Sequence, residues 1–287
     1  MAKQLLRLMT ELSSRKWLSR IMGHCSHSRL SRHLIPAFIR IYQIPAHEAE
    51  KEIHEYRSLN EFFSRRLKIG LRAIDDTADA MVSPVDATIS AMCAVNAGTI
   101  LSVKGQDYTL SELLAKSPRM ENYINGYAFV LYLSPTDYHR IHSPVTGVQA
   151  ESEHLKGRVY PVNDFAMTHI RHVLSRNERL ITYIAHEFGE VAVVKVGAMN
   201  VSSIRYADEN VKKYEIGDEL AYFEFGSTVV LLTENGTFTP RGDLEPGSKV
   251  KMGELLGLLH HTRPQPEKGN AIHLTKLHQA SHDKLRP

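Results

Sequence analysis

The spacing of apolar residues changes near residue 80. Before that point it is helical. Leu5, Leu8, Met9 and Leu12 form one stripe within residues 3–21, and Trp17, Leu18 and Ile21 continue its apolar character. A period near 3.6 puts such residues on one face of a helix. Residues 28–42 repeat the pattern with Leu30, Leu34, Ile35, Phe38, Ile39 and Ile41, interrupted by Pro36. Ser58-Leu59-Asn60-Glu61 has the spacing of a capping box and predicts a short helix through Phe62, Phe63 and Leu67. After residue 80, short runs rich in Val, Ile and Tyr alternate with Gly, Pro, Asn and Asp. The runs at 129–133, 180–185, 191–196 and 228–233 predict antiparallel strands, and Asn235-Gly236 predicts a hairpin turn. A helix is expected over 109–116. The βαβ alternation of a doubly wound sheet is missing. The pattern therefore predicts an α+β protein: amphipathic N-terminal helices, then a β-rich antiparallel sandwich or barrel-like core. No internal repeat or low-complexity block is apparent.

Composition changes this picture in one respect. The 287 residues, 43% hydrophobic and 23% charged, are ordinary for a globular chain. Cys25 and Cys93 make no disulfide framework. No stretch approaches the roughly 20 apolar residues of a membrane span, and the first residues lack the apolar core and cleavage site of a secretory signal. Neither secretion nor a span is expected. The net charge of +3, however, is uneven. Lys3, Arg7, Arg15, Lys16, Arg20, Arg29, Arg32 and Arg40 face Glu11 alone, so residues 1–45 carry +7 and the remainder −4. Basic charge interleaved with a continuous apolar stripe suits an acidic membrane surface better than nucleic acid, although such helices also pack on protein cores. The expected organisation is a helical membrane-association region at 1–70, a β-rich catalytic core at 71–262 and a flexible polar tail at 263–287.

Four stretches could carry chemistry. Gly226-Ser227, within Phe225-Gly226-Ser227-Thr228, leaves an unhindered carbonyl beside a hydroxyl. With a base nearby, that hydroxyl can attack its own backbone; without one, the dipeptide is a bend. Ser83-Pro84-Val85-Asp86-Ala87 puts an aspartate in a turn. Tyr138-His139-Arg140-Ile141-His142 puts two histidines after a strand, and Arg176-Asn177-Glu178-Arg179 is a dense charged turn. An aspartate, a histidine and Ser227 could form a base-activated nucleophile, recognised by geometry and not by order. Any chain of this size offers many such combinations. No HExxH pattern or cysteine pair supports a metal at His139 and His142, so no metal is expected. Ser227 does not lie in a G-x-S-x-G elbow.

Together these stretches resemble the phosphatidylserine decarboxylases of the bacterial membrane-associated type. The matching segments follow family order: Tyr56-Arg57-Ser58-Leu59-Asn60-Glu61-Phe62-Phe63, Ser83-Pro84-Val85-Asp86, and Leu133-Ser134-Pro135-Thr136-Asp137-Tyr138-His139-Arg140-Ile141-His142-Ser143-Pro144. Arg176-Asn177-Glu178-Arg179, Val196-Gly197-Ala198 and Phe223-Glu224-Phe225-Gly226-Ser227-Thr228-Val229 continue the series. Phe225 stands where the family usually has Leu. Pro84-Val85-Asp86-Ala87 replaces Pro-Ala-Asp-Gly, and Tyr160-Pro161-Val162-Asn163 replaces a stretch resembling Phe-Ser-Val-Asn.

The resemblance implies a self-processing proenzyme that decarboxylates phosphatidylserine to phosphatidylethanolamine through a Schiff base. It implies cleavage at Gly226–Ser227 into a β chain of residues 1–226 and an α chain of residues 227–287, with Ser227 becoming a covalent pyruvoyl (pyruvate) cofactor. By position it assigns self-cleavage to Asp86, His142 and Ser227, and decarboxylation to His139. It places the enzyme peripherally on the cytoplasmic face of the inner membrane and is compatible with a homodimer. Two other readings of the residues remain: a Ser-His-Asp lipid hydrolase, and a non-catalytic membrane-associated β-domain protein.

Overall fold

Strand β13 (Ser227–Thr233) is the middle of the protein. It is flanked on one edge by β9 (Gly189–Gly197) and on the other by β5 (Tyr127–Leu133), both antiparallel. β8 (Arg179–His186) and β7 (Gly147–Leu155) extend the sheet beyond β9, and β2 (Ala87–Ala94) extends it beyond β5. Two short strands, β11 (Lys213–Tyr214) and β15 (Lys249–Val250), close its edges and make it 8-stranded. The computed structural model describes residues 25–96, 101–103, 106–162, 164–198, 204–224 and 227–262. The stripe expected at 3–21, the tail expected at 263–287, Asn163, Phe225 and Gly226 lie outside them.

Both faces of the sheet are buried, which is why its central strands read as unbroken apolar runs and not as alternating ones. One face packs Val194, Val196, Val230 and Leu232 under Tyr108, Leu113, Tyr123 and Val173. The cover there comes from a β3–β4 ribbon (Leu101–Val103, Gln106–Tyr108) and short helices α3 (Leu110–Leu113), α4 (Asp164–His169) and α5 (Val173–Arg176). The other face packs Val191, Val193, Val229 and Leu231 under Met81, Leu220, Phe223 and Leu256. Two 3-stranded sheets supply that second cover. One orders β1 (Ala80–Val82), β16 (Leu255–Leu259) and β14 (Phe238–Pro240); the other orders β6 (Arg140–His142), β12 (Glu219–Phe223) and β10 (Ile204–Tyr206). Each fully buried Val or Leu in these layers is worth about 1.5–3 kcal/mol against exposure.

The two small sheets are copies of one plan, and so are the two halves of the large sheet. Outside the β3–β4 ribbon every described strand has a counterpart: β1 with β6, β2 with β7, β5 with β8, β13 with β9, β14 with β10, β15 with β11 and β16 with β12. The registers agree in detail. Met81↔Gly257 and Val82↔Leu255 are separated by a bulge, as are Ile141↔Ala221 and His142↔Glu219. The Ser-Pro-Val turns between β1 and β2 and between β6 and β7 cross-bond, Val82 N to Pro144 O at 3.0 Å and His142 N to Pro84 O at 2.8 Å. Ser83 Oγ donates to Val85 O, and Ser143 Oγ to Val145 O, both at 2.7 Å. Gly253 N donates to Ser83 O, and Gly217 N to Ser143 O, both at 2.9 Å. Those glycines have φ of +87° and +86°, and a Cβ on either would meet Ile74 Cδ1 at 2.8 or 2.7 Å. The chain therefore does contain a repeat. It escapes sequence reading because only the turn residues are shared, while the strands are interchangeable apolar runs.

The second unit is inserted in the first. β8 and β9 join through Glu187 and Phe188, with His186 opposite Gly189. Their counterparts β5 and β13 have Leu133 opposite Ser227, with all of β6–β12 between them. Ser227 is thus where the chain returns from the inserted unit.

An N-terminal arm packs beside this frame. A 3-10 turn (Arg29–Leu34) leads into α1 (Ile35–Tyr42), with Pro36 in its first turn, a position that needs no N–H. α2 (Leu59–Phe63) starts at Ser58, whose side chain accepts from Glu61 N. The Glu61 carboxylate bonds Arg57 N and Lys51, so the capping box is only half made. α2 stops at Phe63 short of the expected Leu67, which instead bridges Ala49. The helix expected at 109–116 is α3, capped by Thr109 and ended by positive φ at Ala115 and Lys116. Asn235-Gly236 makes a turn but no hairpin. Both edges of β13 are already paired, so β14 must go to another sheet.

Candidate active site

His139 and His142 are on or beside β6, the strand that pairs with β12. Phe223 N, at the end of β12, donates to His139 O at 3.1 Å. His139 is therefore bonded to the end of the strand that precedes Ser227, and His142 pairs at the start of that strand, with Glu219. The backbone rungs of Ser227 are Leu133 on β5 and Gly197 on β9.

His142 is buried. Its Nδ1 is 2.7 Å from Gly217 O, and its Nε2 is 3.2 Å from the Tyr138 hydroxyl. A carbonyl can only accept, so Nδ1 carries the proton and Nε2 is the acceptor, here receiving the Tyr138 O–H. Burial lowers the pKa of the ring, which favours this neutral form.

His139 is more deeply enclosed, at 0% exposure. Its Nδ1 donates to Asp137 O at 2.8 Å, and its ring packs on Phe63 with centroids 4.0 Å apart. Burial, helped by the charge of Arg65, pushes its pKa down to about 3. Its Nε2 is buried without a hydrogen-bond partner. A buried acceptor left unpaired is costly and therefore uncommon away from functional sites.

Asp86 lies in the turn whose Pro84 carbonyl accepts from His142 N. Its carboxylate does not reach either ring nitrogen of His142. Arg72 holds it instead, Nη2 to Oδ2 at 2.6 Å and Nε to Oδ1 at 2.9 Å, and Met252 N donates to Oδ1 at 2.9 Å. Arg72 also bonds Glu48 at 2.9 Å, tying the arm to the core. Two further clamps join these parts: Arg66 with Glu219 at 3.0 Å, and Arg140 Nε with Ser64 O at 2.9 Å. The structure thus brings His142, His139 and the Asp86 turn together, but assigns the orienting contact on His142 to the Gly217 carbonyl.

Three contributors had no distinct sequence signal. Arg72 is in no motif, and the Gly217 carbonyl is main chain. Tyr138 precedes the first histidine, but nothing local shows that it bonds the second. Arg176-Asn177-Glu178-Arg179, by contrast, is structural. Asn177 bonds Tyr160 N and O and Gly197 O, and Arg179 donates to Leu113 O and Asn177 O.

A family model described as phosphatidylserine decarboxylase matches residues 59–258. Among curated relatives, a phosphatidylserine decarboxylase proenzyme of Geobacillus kaustophilus (strain HTA426) is 41% identical over 257 residues, covering 90% of this chain and 97% of the relative. One from Anoxybacillus flavithermus (strain DSM 21510 / WK1) is 41% identical with the same coverage. One from Brevibacillus brevis (strain 47 / JCM 6285 / NBRC 100599) is 40% identical, covering 89% of this chain and 98% of its own length.

Proposed function

The chain belongs to the phosphatidylserine decarboxylase family, and from that premise we propose how its own residues make and use the reacting group. Its reaction removes CO2 from phosphatidylserine and leaves phosphatidylethanolamine. It is a proenzyme and a carboxy-lyase of phospholipid biosynthesis. Nothing observed supports a hydrolase or a non-catalytic role.

Self-cleavage comes first. His142 Nε2 takes the proton of Ser227 Oγ, displacing the Tyr138 hydroxyl. The oxygen attacks the Gly226 carbonyl carbon, and the Gly226–Ser227 amide becomes an ester with a free amine. Loss of the Ser227 α-proton expels the Gly226 carboxylate and leaves a dehydroalanine. One water replaces its nitrogen, releasing ammonia and leaving a pyruvoyl group on residue 227. Gly226 has no side chain to obstruct the attack. Asp86 would act at a distance, by fixing Arg72 and the Pro84 turn that holds the backbone of His142.

The pyruvoyl ketone would supply an electron sink for the pair released with CO2. The residues present fit that role, because His139 offers a bare, buried Nε2 with no partner. It would take the proton that the substrate ammonium must lose before its amine can react. It would hold that proton until the carbon that has lost CO2 needs one. The negative charge that the substrate brings into the site offsets the burial that otherwise denies this imidazole a proton.

The observation that carries the reading is the pair of neutral imidazoles, each with its Nδ1 on a main-chain carbonyl, beside the strand that leads into Ser227. The wild type should run as two chains on a denaturing gel and decarboxylate phosphatidylserine. Ser227→Ala should run as one inactive chain. A wild type that is active while uncut would sink the reading.

Residues 25–45 and the arm that follows would hold the enzyme on an acidic membrane surface facing the cytoplasm. Exposed Leu30, Leu34 and Ile41 among Arg29, Arg32 and Arg40 support that placement.

A further inference from the structure

Between the arm and the core lies a cavity of about 430 Å³. Its walls include Arg65 and Arg72 from the arm, and Asp86, Asp137, Tyr138 and Lys251 from the core. The carboxylates on this wall are already engaged. Asp86 and Glu48 bind Arg72, and Asp137 Oδ2 accepts from Ser134 N at 2.7 Å. Arg65 is different. Only 2% exposed, it lies over the Phe62 ring at 5.0 Å. Its Nε and Nη1 are buried without a hydrogen-bond partner. A guanidinium sealed from water is seldom left unpaired, and its planar fork of N–H donors matches an oxyanion. The same cavity wall carries Tyr138, whose hydroxyl bonds His142, and the charge of Arg65 is felt at His139.

We propose that this cavity is a phosphodiester subsite and that Arg65 binds the phosphate of the substrate head group. The proposal rests on the decarboxylase reading above. Phosphatidylserine offers two oxyanions, a carboxylate and a phosphodiester. The carboxylate loses its charge as CO2 forms, so a buried cation bonded to it would stabilise the ground state over the transition state and slow the reaction. The phosphodiester keeps its charge throughout, and holding it leaves the barrier untouched while positioning the serine end. Thr136–Tyr138 in the cavity wall follow closely on Leu133, the rung partner of Ser227. At the other side, Tyr42 and Gln43 line the cavity where α1 ends, next to exposed Ile41. A lipid held by its phosphate would then point its amine and carboxylate toward the imidazoles and its acyl chains along α1.

The test compares phosphatidylserine with an O-alkyl serine, which presents the same amine and carboxylate without a phosphate. Matured, full-length Arg65→Met should show the ratio of the two kcat/KM values, lipid over O-alkyl serine, reduced about 10- to 100-fold, with Arg65→Lys recovering part of it. An unchanged ratio overturns the proposal. Wild type supplies a second arm that does not depend on the variant folding. Glycerophosphoethanolamine should inhibit at least about 10-fold better than O-alkyl ethanolamine. Equal inhibition by the two, or inhibition by inorganic phosphate as strong as by the glycerophosphodiester, overturns it, the latter marking a free-phosphate site. Wild type that leaves phosphatidylserine intact would be a separate failure, that of the decarboxylase reading itself.

Discussion

Each imidazole spends its Nδ1 proton on a main-chain carbonyl, and the difference between them is what remains at Nε2. His142 has a hydroxyl there and His139 has nothing. Full enclosure also gives His139 a distinct acid signature. Its folded value of about 3 lies below the ordinary 6.5, so below about pH 6.5 the unfolded chain binds a proton that the folded one refuses. Stability is therefore intact above that pH and falls progressively as pH drops toward 3, by an amount on the order of a few kcal/mol. His139→Phe should move the acid-unfolding midpoint to lower pH, followed by circular dichroism. It should still mature but decarboxylate about 10²- to 10⁴-fold more slowly. His142→Ala should stay uncut. Two variants that mature alike would undo the division of roles.

At the scale of elements, the insertion of one β unit into another explains why a chain could be cut at the heart of its core and survive. β13 begins at Ser227, where the chain returns from the inserted unit. β13 itself is paired along its whole length to β5 and β9, and β14 and β16 belong to the small sheet closed by β1. Residues after 226 therefore share the core with residues before it, through fully buried Val229, Val230, Leu231 and Leu232. The two fragments of matured protein should co-elute in gel filtration and separate only in denaturant. Dissociation under native conditions would contradict the pairing. The same duplicated frame carries different chemistry in its two halves: His142 stands where the first unit has Val82, and Asp86 where the second has Thr146.

Across the whole molecule, large exposed apolar side chains gather on the arm. Leu30, Leu34, Ile41, Tyr42, Ile53, Ile69 and Leu71 all fall between residues 30 and 71, with Ile41 at 73% exposure and Ile69 wholly bare. No helix among the described residues is long and apolar enough to cross a membrane. Exposed apolar side chains concentrated on one segment suit a contact surface, and the membrane placement proposed above makes that surface an acidic lipid one. Leu34→Glu/Ile41→Glu should weaken binding to phosphatidylserine-containing vesicles at least about 10-fold in sedimentation assays, from lost burial alone. Wild-type binding should weaken with salt. Unchanged binding by the double variant would move the membrane face elsewhere.

The strands at 129–133, 180–185, 191–196 and 228–233 were legible because a buried run of β-branched residues carries its own signal, and each is present with its ends extended slightly. The helix expected over 109–116 is present in shortened form behind its local Thr109 cap, whereas Pro36, which interrupts the apolar stripe of 28–42, proves to stand in the first turn of α1. Asp86, His139, His142 and Ser227 stood out in the sequence as candidates, and their roles came from the resemblance. Their partners were not legible. Gly217 for His142, Arg72 for Asp86 and the unpaired state of Arg65 depend on contacts between distant residues. The failure of Asn235-Gly236 to make a hairpin follows from β13 having both edges filled. The sequence by itself determined which segments pack and which side chains can react, because burial pattern and functional groups are written residue by residue. Only the tertiary structure decided who pairs with whom, because hydrogen-bond partners and strand order are set by the competition of all segments for the same few edges and donors.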